Sequence, residues 1–184
     1  MKKRCEWAKD EPNTTYHDNE WGVPVHDDVK LFEFLILEGA QAGLSWSTIL
    51  NRRDGYLTAF SNFDVVAVSK YTQNHVKKLV KNKDIIRNKL KINSAINNAK
   101  QFIKIQQEFG SFDKYLWSFV NYKPVKSKFK KHSDIPAYSM VSEKLSQDLK
   151  KHGFTFVGPI ICYALMQAVG MVNDHTSDCF KYSK

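Results

Sequence analysis

This sequence has few cysteines and no long uninterrupted apolar run. Its 184 residues include three cysteines, an odd number that argues against a disulfide framework and for a reducing compartment. The longest apolar stretch, residues 157–172, contains Pro159 and Gln167 and is shorter than the roughly 20 residues that a membrane span needs. The basic N-terminal residues lead into Asp10-Glu11-Pro12 and not into an apolar segment, which excludes a secretory signal there. We therefore expect a soluble, cytoplasmic protein without a membrane partner.

Acidic side chains are scarce relative to basic ones. The chain has 19 Asp and Glu against 28 Lys and Arg, which gives a net charge of +9. Such a balance favours a polyanionic partner by long-range attraction and says nothing about the fold. The lysines and arginines are concentrated in residues 77–91 and 123–131, with Lys150 and Lys151 further along. The pattern indicates a nucleic-acid partner but does not distinguish DNA from RNA. Lysine clusters are also often only solvated surface.

The remaining composition is that of a folded protein. Hydrophobic residues make up 42% of the chain, aromatic residues 13% and charged residues 26%, well away from the disordered class. A chain of this length can bury one core and does not need two. We expect a single domain over residues 1–184.

Helical signals run through nearly the whole sequence. A long helix is predicted from the apolar spacing between Ile92 and Ile103, and it should stop by Gly110. A lysine-rich loop is expected at about 121–138, and no alternating strand pattern of useful length occurs. The chain is therefore predicted to be all-α. Other predicted helices begin at Asp27-Asp28 (ending near Gly39), at Ser45, Asp64, Thr72 and Ser142 (carrying Leu145 and Leu149), and at Pro159 (apolar all round and buried).

Two cysteines and two histidines near the chain ends form a candidate metal site. His175 and Cys179 stand at i, i+4, a spacing at which two side chains can bind one ion, and Cys5 and His17 can complete a Cys2His2 zinc set. The alternative is two surface histidines and two unrelated thiols. Spacing alone does not decide between these interpretations.

A short glycine-containing connection joins the last two predicted helices. Gly153 and Gly158 flank this segment, and lysines precede it. A tight turn of this kind exposes backbone N–H groups that can bind a DNA phosphate without reading sequence. The same glycines also suit a plain connection that ends one helix and begins the next.

Glu38 is the residue that is hardest to explain structurally. It shares a helical stripe with Leu31 and Leu35, so a core-facing stripe buries its carboxylate or places it in a pocket. The alternative is a carboxylate at the rim of the apolar face. Nearby aromatic residues can be core residues or the walls of a base-stacking pocket: Tyr16, Trp21 and Trp46.

Several long motifs resemble the bacterial 3-methyladenine DNA glycosylase I family, from about Cys5 to Cys179. Motifs of this length in the same order are far more specific than the spacings above. They are residues 16–24 (YHDNEWGVP), 38–46 (EGAQAGLSW), 115–119 (YLWSF), 153–158 (GFTFVG), 166–168 (MQA) and 172–175 (VNDH).

The resemblance implies a helix-hairpin-helix fold. It also implies a monofunctional enzyme that flips N3-methylated adenine out of double-stranded DNA and releases the free base. We expect this enzyme to be a monomer. The resemblance implies a lesion pocket containing Tyr16 and Trp46, with Glu38 as its recognising and catalytic carboxylate, recognition ranking first. Trp21 is a further candidate for binding the base. Leu44 is implied to fill the gap left by the flipped nucleotide, and Gly153 and Gly158 to contact DNA. It also implies a structural zinc ion held by Cys5, His17, His175 and Cys179.

Three positions depart from the wider helix-hairpin-helix superfamily. Ile160 stands where bifunctional members carry a Schiff-base lysine, so strand cleavage is not expected. Asn173 stands where many relatives place a catalytic aspartate, with Asp174 one position on, and Phe156 replaces a hairpin glycine.

A non-enzymatic, zinc-tethered nucleic-acid binder is the alternative function. A zinc hydrolase is disfavoured because four protein ligands leave no position for water.

Overall fold

Helices form most of the secondary structure in the computed structural model, which describes residues 2–182. The helices are α1 (Asn13–Asn19), α2 (Asp28–Gln41), α3 (Trp46–Leu50), α4 (Arg53–Ala59), α5 (Val65–Ser69), α6 (Gln73–Leu79), α7 (Lys89–Phe109), α8 (Phe112–Ser118), α9 (Met140–Lys151) and α10 (Pro159–Ala168). Short 3-10 turns lie at Ser61–Phe63 and His132–Asp134, and the two-residue strands β1 (Val125–Lys126) and β2 (Val172–Asn173) pair in parallel. The mostly helical class predicted from the sequence is confirmed.

Most predicted helix starts coincide with caps in the structure. The Asp27 carboxylate accepts a hydrogen bond of 2.9 Å from the Lys30 backbone N–H and begins α2, while Ser45 begins α3. Asp64 caps α5 through two backbone N–H groups, and α6 follows Thr72. These starts were predictable because each cap is local in sequence.

The predicted start of α9 at Ser142 is wrong. The helix begins at Met140, and the Ser139 hydroxyl accepts a hydrogen bond of 3.1 Å from the Ser142 backbone N–H. The Ser142 hydroxyl lies 2.9 Å from the Ser139 N–H, so the two serines cap each other and only the outer one marks the boundary. The helix at Asn13–Asn19 was also missed, because the residue that precedes it, Pro12, makes no side-chain cap.

The prediction for α10 is only partly correct. Pro159 occupies its first turn, and Cys162, Leu165 and Met166 are buried. Ile160 is 60% exposed, so the helix is not buried all round. The first turn of α10 faces solvent, next to the connection between α9 and α10.

The fold places the C-terminal end of α2 beside the candidate functional residues. Every α2 residue from Leu31 to Ala40 is buried, which makes this helix the central one of the core. The Asp28 carboxylate in its first turn accepts hydrogen bonds from the backbone N–H groups of Phe112 (3.0 Å) and Asp113 (2.8 Å), so it binds the start of α8 to the start of α2. Among residues 2–182, no helix combines the length and hydropathy that a membrane crossing requires.

Candidate active site and metal centre

A cavity of about 230 Å³ opens where the C-terminal end of α2 meets α1, α3 and α10. It brings together the pocket residues chosen from the sequence, Tyr16, Trp21, Glu38 and Trp46. Sequence reasoning missed the other residues that line it: Trp7, Gln41, His132, Ile135, Ala164 and Gln167. Only Gln41 and Gln167 lie within the motifs that carried the resemblance, so the remaining four had no local signal.

Three side chains of this cavity have a buried polar atom without a hydrogen-bond partner among the described residues. These atoms are the Tyr16 hydroxyl, Glu38 Oε2 and Trp46 Nε1. Leaving such atoms unpaired costs about 1–3 kcal/mol each, which a purely structural pocket would avoid. Two possible donors and a carboxylate therefore line one apolar cavity.

Burial dominates the electrostatics of the cavity. The pKa of Glu38 is raised to about 8 by burial, since no charged group among residues 2–182 offsets the loss of water around the carboxylate. Burial also raises the pKa of Tyr16, and the neighbouring Glu38 carboxylate raises it further. A cationic ligand would restore the ionised form of Glu38.

The aromatic rings of the cavity wall are packed at angles to one another. The ring centroids of Tyr16 and Trp46 lie 5.3 Å apart at 54°, and those of Trp7 and Trp21 lie 5.1 Å apart at 77°. The first pair is tilted and the second is edge-on, and both are favourable arrangements that hold the rings in place.

The four metal-ligand candidates converge in one buried cluster. Their ligand atoms all lie within 4.8 Å of one another. Cys179 Sγ is 3.4 Å from His17 Nε2 and 3.5 Å from His175 Nδ1, and Cys5 Sγ is 3.5 Å from the same His175 atom. A tetrahedral zinc ion with these ligands requires separations of about 3.3–3.8 Å, and these three sulfur–nitrogen distances lie in that range.

The surrounding residues orient both imidazoles toward the cluster. His17 Nδ1 donates to Asp18 Oδ1 at 2.8 Å, and Arg4 holds that carboxylate through two nitrogens. His175 Nε2 lies 3.1 Å from the Trp21 carbonyl oxygen, which leaves Nδ1 for a metal. Burial lowers the pKa of His175 to about 4, so its ring is neutral, as a ligand must be. Outer hydrogen bonds of this kind are typical of metal sites.

The Cys2His2 cluster also supports the cavity wall. His17 follows Tyr16 directly on α1, and the Trp21 ring packs edge-on against His175 with centroids 4.7 Å apart. Joining the chain ends at this point therefore fixes two aromatic residues of the cavity.

An exposed apolar residue follows the end of α2. In residues 42–45, here named the Leu44 loop, Gly43 has φ +76° and the Leu44 side chain is 40% exposed. The loop lies between Gln41 and Trp46, which both line the cavity. Leu44 is therefore an exposed apolar residue in the loop that joins two residues of the cavity wall.

The connection between α9 and α10, residues 152–158, is here named the hairpin turn. Gly153 has φ +84°, a left-handed conformation that favours glycine. Phe156 has φ +54°, so the backbone keeps the left-handed conformation where a glycine is usual in the superfamily. Gly158 precedes α10, and a Cβ there would meet no atom of the described residues within 4 Å, so this backbone is open to approach.

Asp174 is fully buried and is held by three donors. Its carboxylate accepts hydrogen bonds from the Ser127 hydroxyl (2.5 Å), the Tyr163 hydroxyl (2.7 Å) and Gln167 Nε2 (2.8 Å). These hydrogen bonds connect the residue after β2 with the residue after β1 and with α10. Asn173, its neighbour, lies in β2.

The comparisons with known proteins all find methyladenine glycosylases, and each match covers nearly the full chain. The family model described as methyladenine glycosylase matches residues 7–182. DNA-3-methyladenine glycosylase 1 of Escherichia coli (strain K12) is 45% identical over 98% of this chain and 97% of its own length. A crystal structure of 3-methyladenine DNA glycosylase I is 43% identical, with a TM-score of 0.95 over 98% of this chain and 100% of that chain.

A second solved structure concerns ligand recognition. It describes 3-methyladenine recognition by 3-methyladenine DNA glycosylase I from Staphylococcus aureus. That protein is 36% identical to this chain, with a TM-score of 0.95 over 98% of this chain and 97% of its own.

Proposed function

This chain belongs to the methyladenine glycosylase family, and we propose on that basis that it excises 3-methyladenine from DNA as the first step of base excision repair. The observation that carries the proposal is the unpartnered Glu38 carboxylate in an aromatic cavity large enough for one base. The near-complete coverage of the E. coli relative supports the same activity.

Recognition follows from the charge of the damaged base. N3-methylated adenine in DNA is cationic, so it stacks favourably on the electron-rich rings of Tyr16 and Trp46 and is attracted to Glu38. The Glu38 carboxylate accepts a hydrogen bond from the exocyclic amino group. Undamaged adenine is neutral and offers no charge to offset the cost of ionising a buried carboxylate, so it is rejected.

The chemical step breaks the bond between the base nitrogen and C1′ of the sugar. The electron pair of that bond stays with the base and neutralises it, while water supplies the new oxygen at C1′ and loses a proton to solvent. Because methylation already makes the base a good leaving group, little acid catalysis is needed. Glu38 contributes mainly by recognition and also favours the cationic sugar of the transition state.

We propose a monofunctional reaction without strand cleavage. Ile160 provides no amine for a Schiff base, and Asp174 is already occupied by its three donors. Rate and selectivity then depend on flipping, fit and electrostatics.

Double-stranded DNA is the proposed macromolecular substrate. Leu44 fills the gap left by the flipped nucleotide, and its exposure in a loop between the cavity residues Gln41 and Trp46 supports this role. The backbone around Gly153 and Gly158 binds phosphate at the open end of α10, and the lysine-rich segments add attraction.

The metal in the Cys2His2 cluster is proposed to be zinc with a structural role. Four protein ligands complete a tetrahedral shell, so the ion joins residues near both chain ends and takes no part in hydrolysis. We further propose that the chain acts as one domain and as a monomer in the cytoplasm, which is consistent with one contiguous hydrophobic core and three free cysteines.

Chromatography of the bases released from methylated duplex DNA tests the function. We expect free 3-methyladenine as the main product, with intact strands until the abasic sites are cleaved by alkali. A nucleic-acid binder would retain the DNA and release no base. That outcome, with a correctly folded and metal-loaded protein, would overturn the proposal.

A further inference from the structure

One face of α7 carries polar side chains that bind the backbone of two separate segments. Lys91, Ser94 and Asn98 lie at i, i+3 and i+7 on this helix, so they share a face. Lys91 contacts the end of α2 next to the Leu44 loop, whereas Ser94 and Asn98 contact the hairpin turn. The same face therefore connects the two segments that are proposed to meet DNA.

Lys91 fixes the point where α2 becomes the Leu44 loop. Its Nζ donates to the carbonyl oxygens of Ala40 (2.8 Å) and Ala42 (2.7 Å). Carbonyls at a helix end have no partner within the helix, and a cation there is favourable. Burial lowers the pKa of Lys91, so this lysine is partly withdrawn from water. Gly43 and Leu44 follow immediately, and their direction depends on this anchor.

Asn98 and Ser94 fix the backbone of the hairpin turn. Asn98 Oδ1 accepts from the Thr155 backbone N–H at 2.9 Å, and Asn98 Nδ2 donates to the Thr155 carbonyl oxygen at 2.9 Å. The Ser94 hydroxyl donates to the same carbonyl oxygen at 3.1 Å. Asn98 and Ser94 are buried, so these hydrogen bonds are protected from water. They hold the residue that precedes the left-handed Phe156.

There is little free space between these segments. A Cβ built on Gly39 of α2 would lie 3.7 Å from the Phe156 Cβ of the hairpin turn. The cavity at this junction, which Lys91, Ser94 and Asn98 help to line, has a volume of only about 10 Å³. A shift of one segment is therefore transmitted to the other.

We propose that this face of α7 is a positioning element that sets the Leu44 loop and the hairpin turn in register, so that phosphate binding and insertion of Leu44 occur together. This inference rests on the proposed function. Lys91 does not touch the cavity, so it acts through Leu44 and not on the base. Its loss should impair nucleotide flipping and leave the binding of a free base unchanged.

The Lys91→Met variant tests the first half of the proposal. We expect the single-turnover rate of 3-methyladenine release from duplex DNA at saturating enzyme to fall about 10- to 100-fold, since small misplacements of a functional group have effects of this size. The affinity for free 3-methyladenine, measured by tryptophan fluorescence, should stay within about twofold. Lys100→Met is the matched control, because Lys100 is an exposed lysine on the same helix.

A double-mutant cycle shows whether Lys91 acts through Leu44. In a Leu44→Ala background, Lys91→Met should cause little further loss of rate, because the side chain that it positions is already absent. Fully additive losses would overturn the proposal, and so would an unchanged rate in the single variant. If Lys91→Met does not fold, Lys91→Gln retains one donor and is subjected to the same measurements.

Asn98→Ala tests the hairpin half. We expect weaker binding of undamaged duplex DNA, with free 3-methyladenine binding retained and Asn93→Ala of the same helix as the control. Unchanged duplex affinity in folded Asn98→Ala would contradict the proposal. Failure of the proposed function would look different, because the unmutated protein would then release no 3-methyladenine at all.

Discussion

The Asp174 carboxylate accepts a hydrogen bond of 2.8 Å from the side-chain amide of Gln167, a residue that lines the cavity. Because a carboxylate only accepts, this contact orients the amide with its nitrogen toward Asp174. Asp174 is the neighbour of Asn173, which stands at the catalytic aspartate position of superfamily relatives. Its carboxylate thus helps to build the cavity.

The first prediction concerns this carboxylate. Asp174→Asn should lower the free energy of unfolding by about 1.5–3 kcal/mol, because three donors would face an amide that can satisfy them only in part. The pH profile of single-turnover excision should keep its shape. Both are measured by urea denaturation and rapid quench, with Asp113→Asn as a partly exposed control. A loss of rate by a factor of about 1,000 without loss of stability would instead assign Asp174 to water activation.

The second prediction concerns the metal. Purified protein should contain one zinc ion per chain, and its removal by a chelator should lower Tm by about 10 °C or more, because the ion joins the two chain ends. Excision should decline as the ends unfold and not before. Cys179→Ser should lose the ion, whereas Cys162→Ser, at a buried thiol outside the cluster, should retain it. Elemental analysis that finds no metal in the unmutated protein would remove the basis for this site.

The third prediction concerns DNA affinity. If about four to six phosphates are neutralised, a log-log plot of affinity for undamaged duplex against salt should be linear with a slope of about −4 to −5. Replacing both Lys150 and Lys151 by glutamine should reduce the slope by about two. Fluorescence anisotropy of labelled duplex gives both values. A flat response would mean that the basic segments face away from DNA.

The sequence predicted what is local and missed what the tertiary structure assembles. Asp27 and Ser45 were recognisable as caps because each bonds a backbone group three residues away. Trp7 and His132 reach the cavity from distant segments, so no periodicity marked them. Lys91 looked like one more lysine of a basic stretch, yet it is bound to the end of α2, and no sequence pattern distinguishes an anchored lysine from a solvated one.

The fourth prediction concerns the pH dependence of stability. The pKa of Glu38 is raised to about 8 in the folded protein, above its ordinary value near 4.5. As pH rises through this interval the unfolded chain ionises Glu38 while the folded chain keeps it protonated, so the unfolding free energy falls. Glu38→Gln should remove this loss, and its stability relative to the unmutated protein should increase from pH 5 to pH 8. Denaturation at both pH values measures the difference.

The last prediction is that Glu38→Gln lowers excision of 3-methyladenine while folding and undamaged-DNA binding are retained. Glutamine keeps the shape and one acceptor but loses the charge that attracts a cationic base. The single-turnover rate or the lesion affinity should therefore fall about 10- to 100-fold, the equivalent of a charge-assisted hydrogen bond of about 1.5–3 kcal/mol. Glu108→Gln removes the same charge from an exposed position and should behave like the unmutated protein.

Trp46→Ala should resemble Glu38→Gln through lost stacking, with a greater effect on the fold because the Trp46 ring packs against Tyr16. The two variants separate charge from stacking, since only Glu38→Gln should reduce the preference for a cationic over a neutral base. If Glu38→Gln unfolds the protein, or releases 3-methyladenine at the unmutated rate, then Glu38 is structural. Its unpartnered oxygen would then need an explanation other than the damaged base.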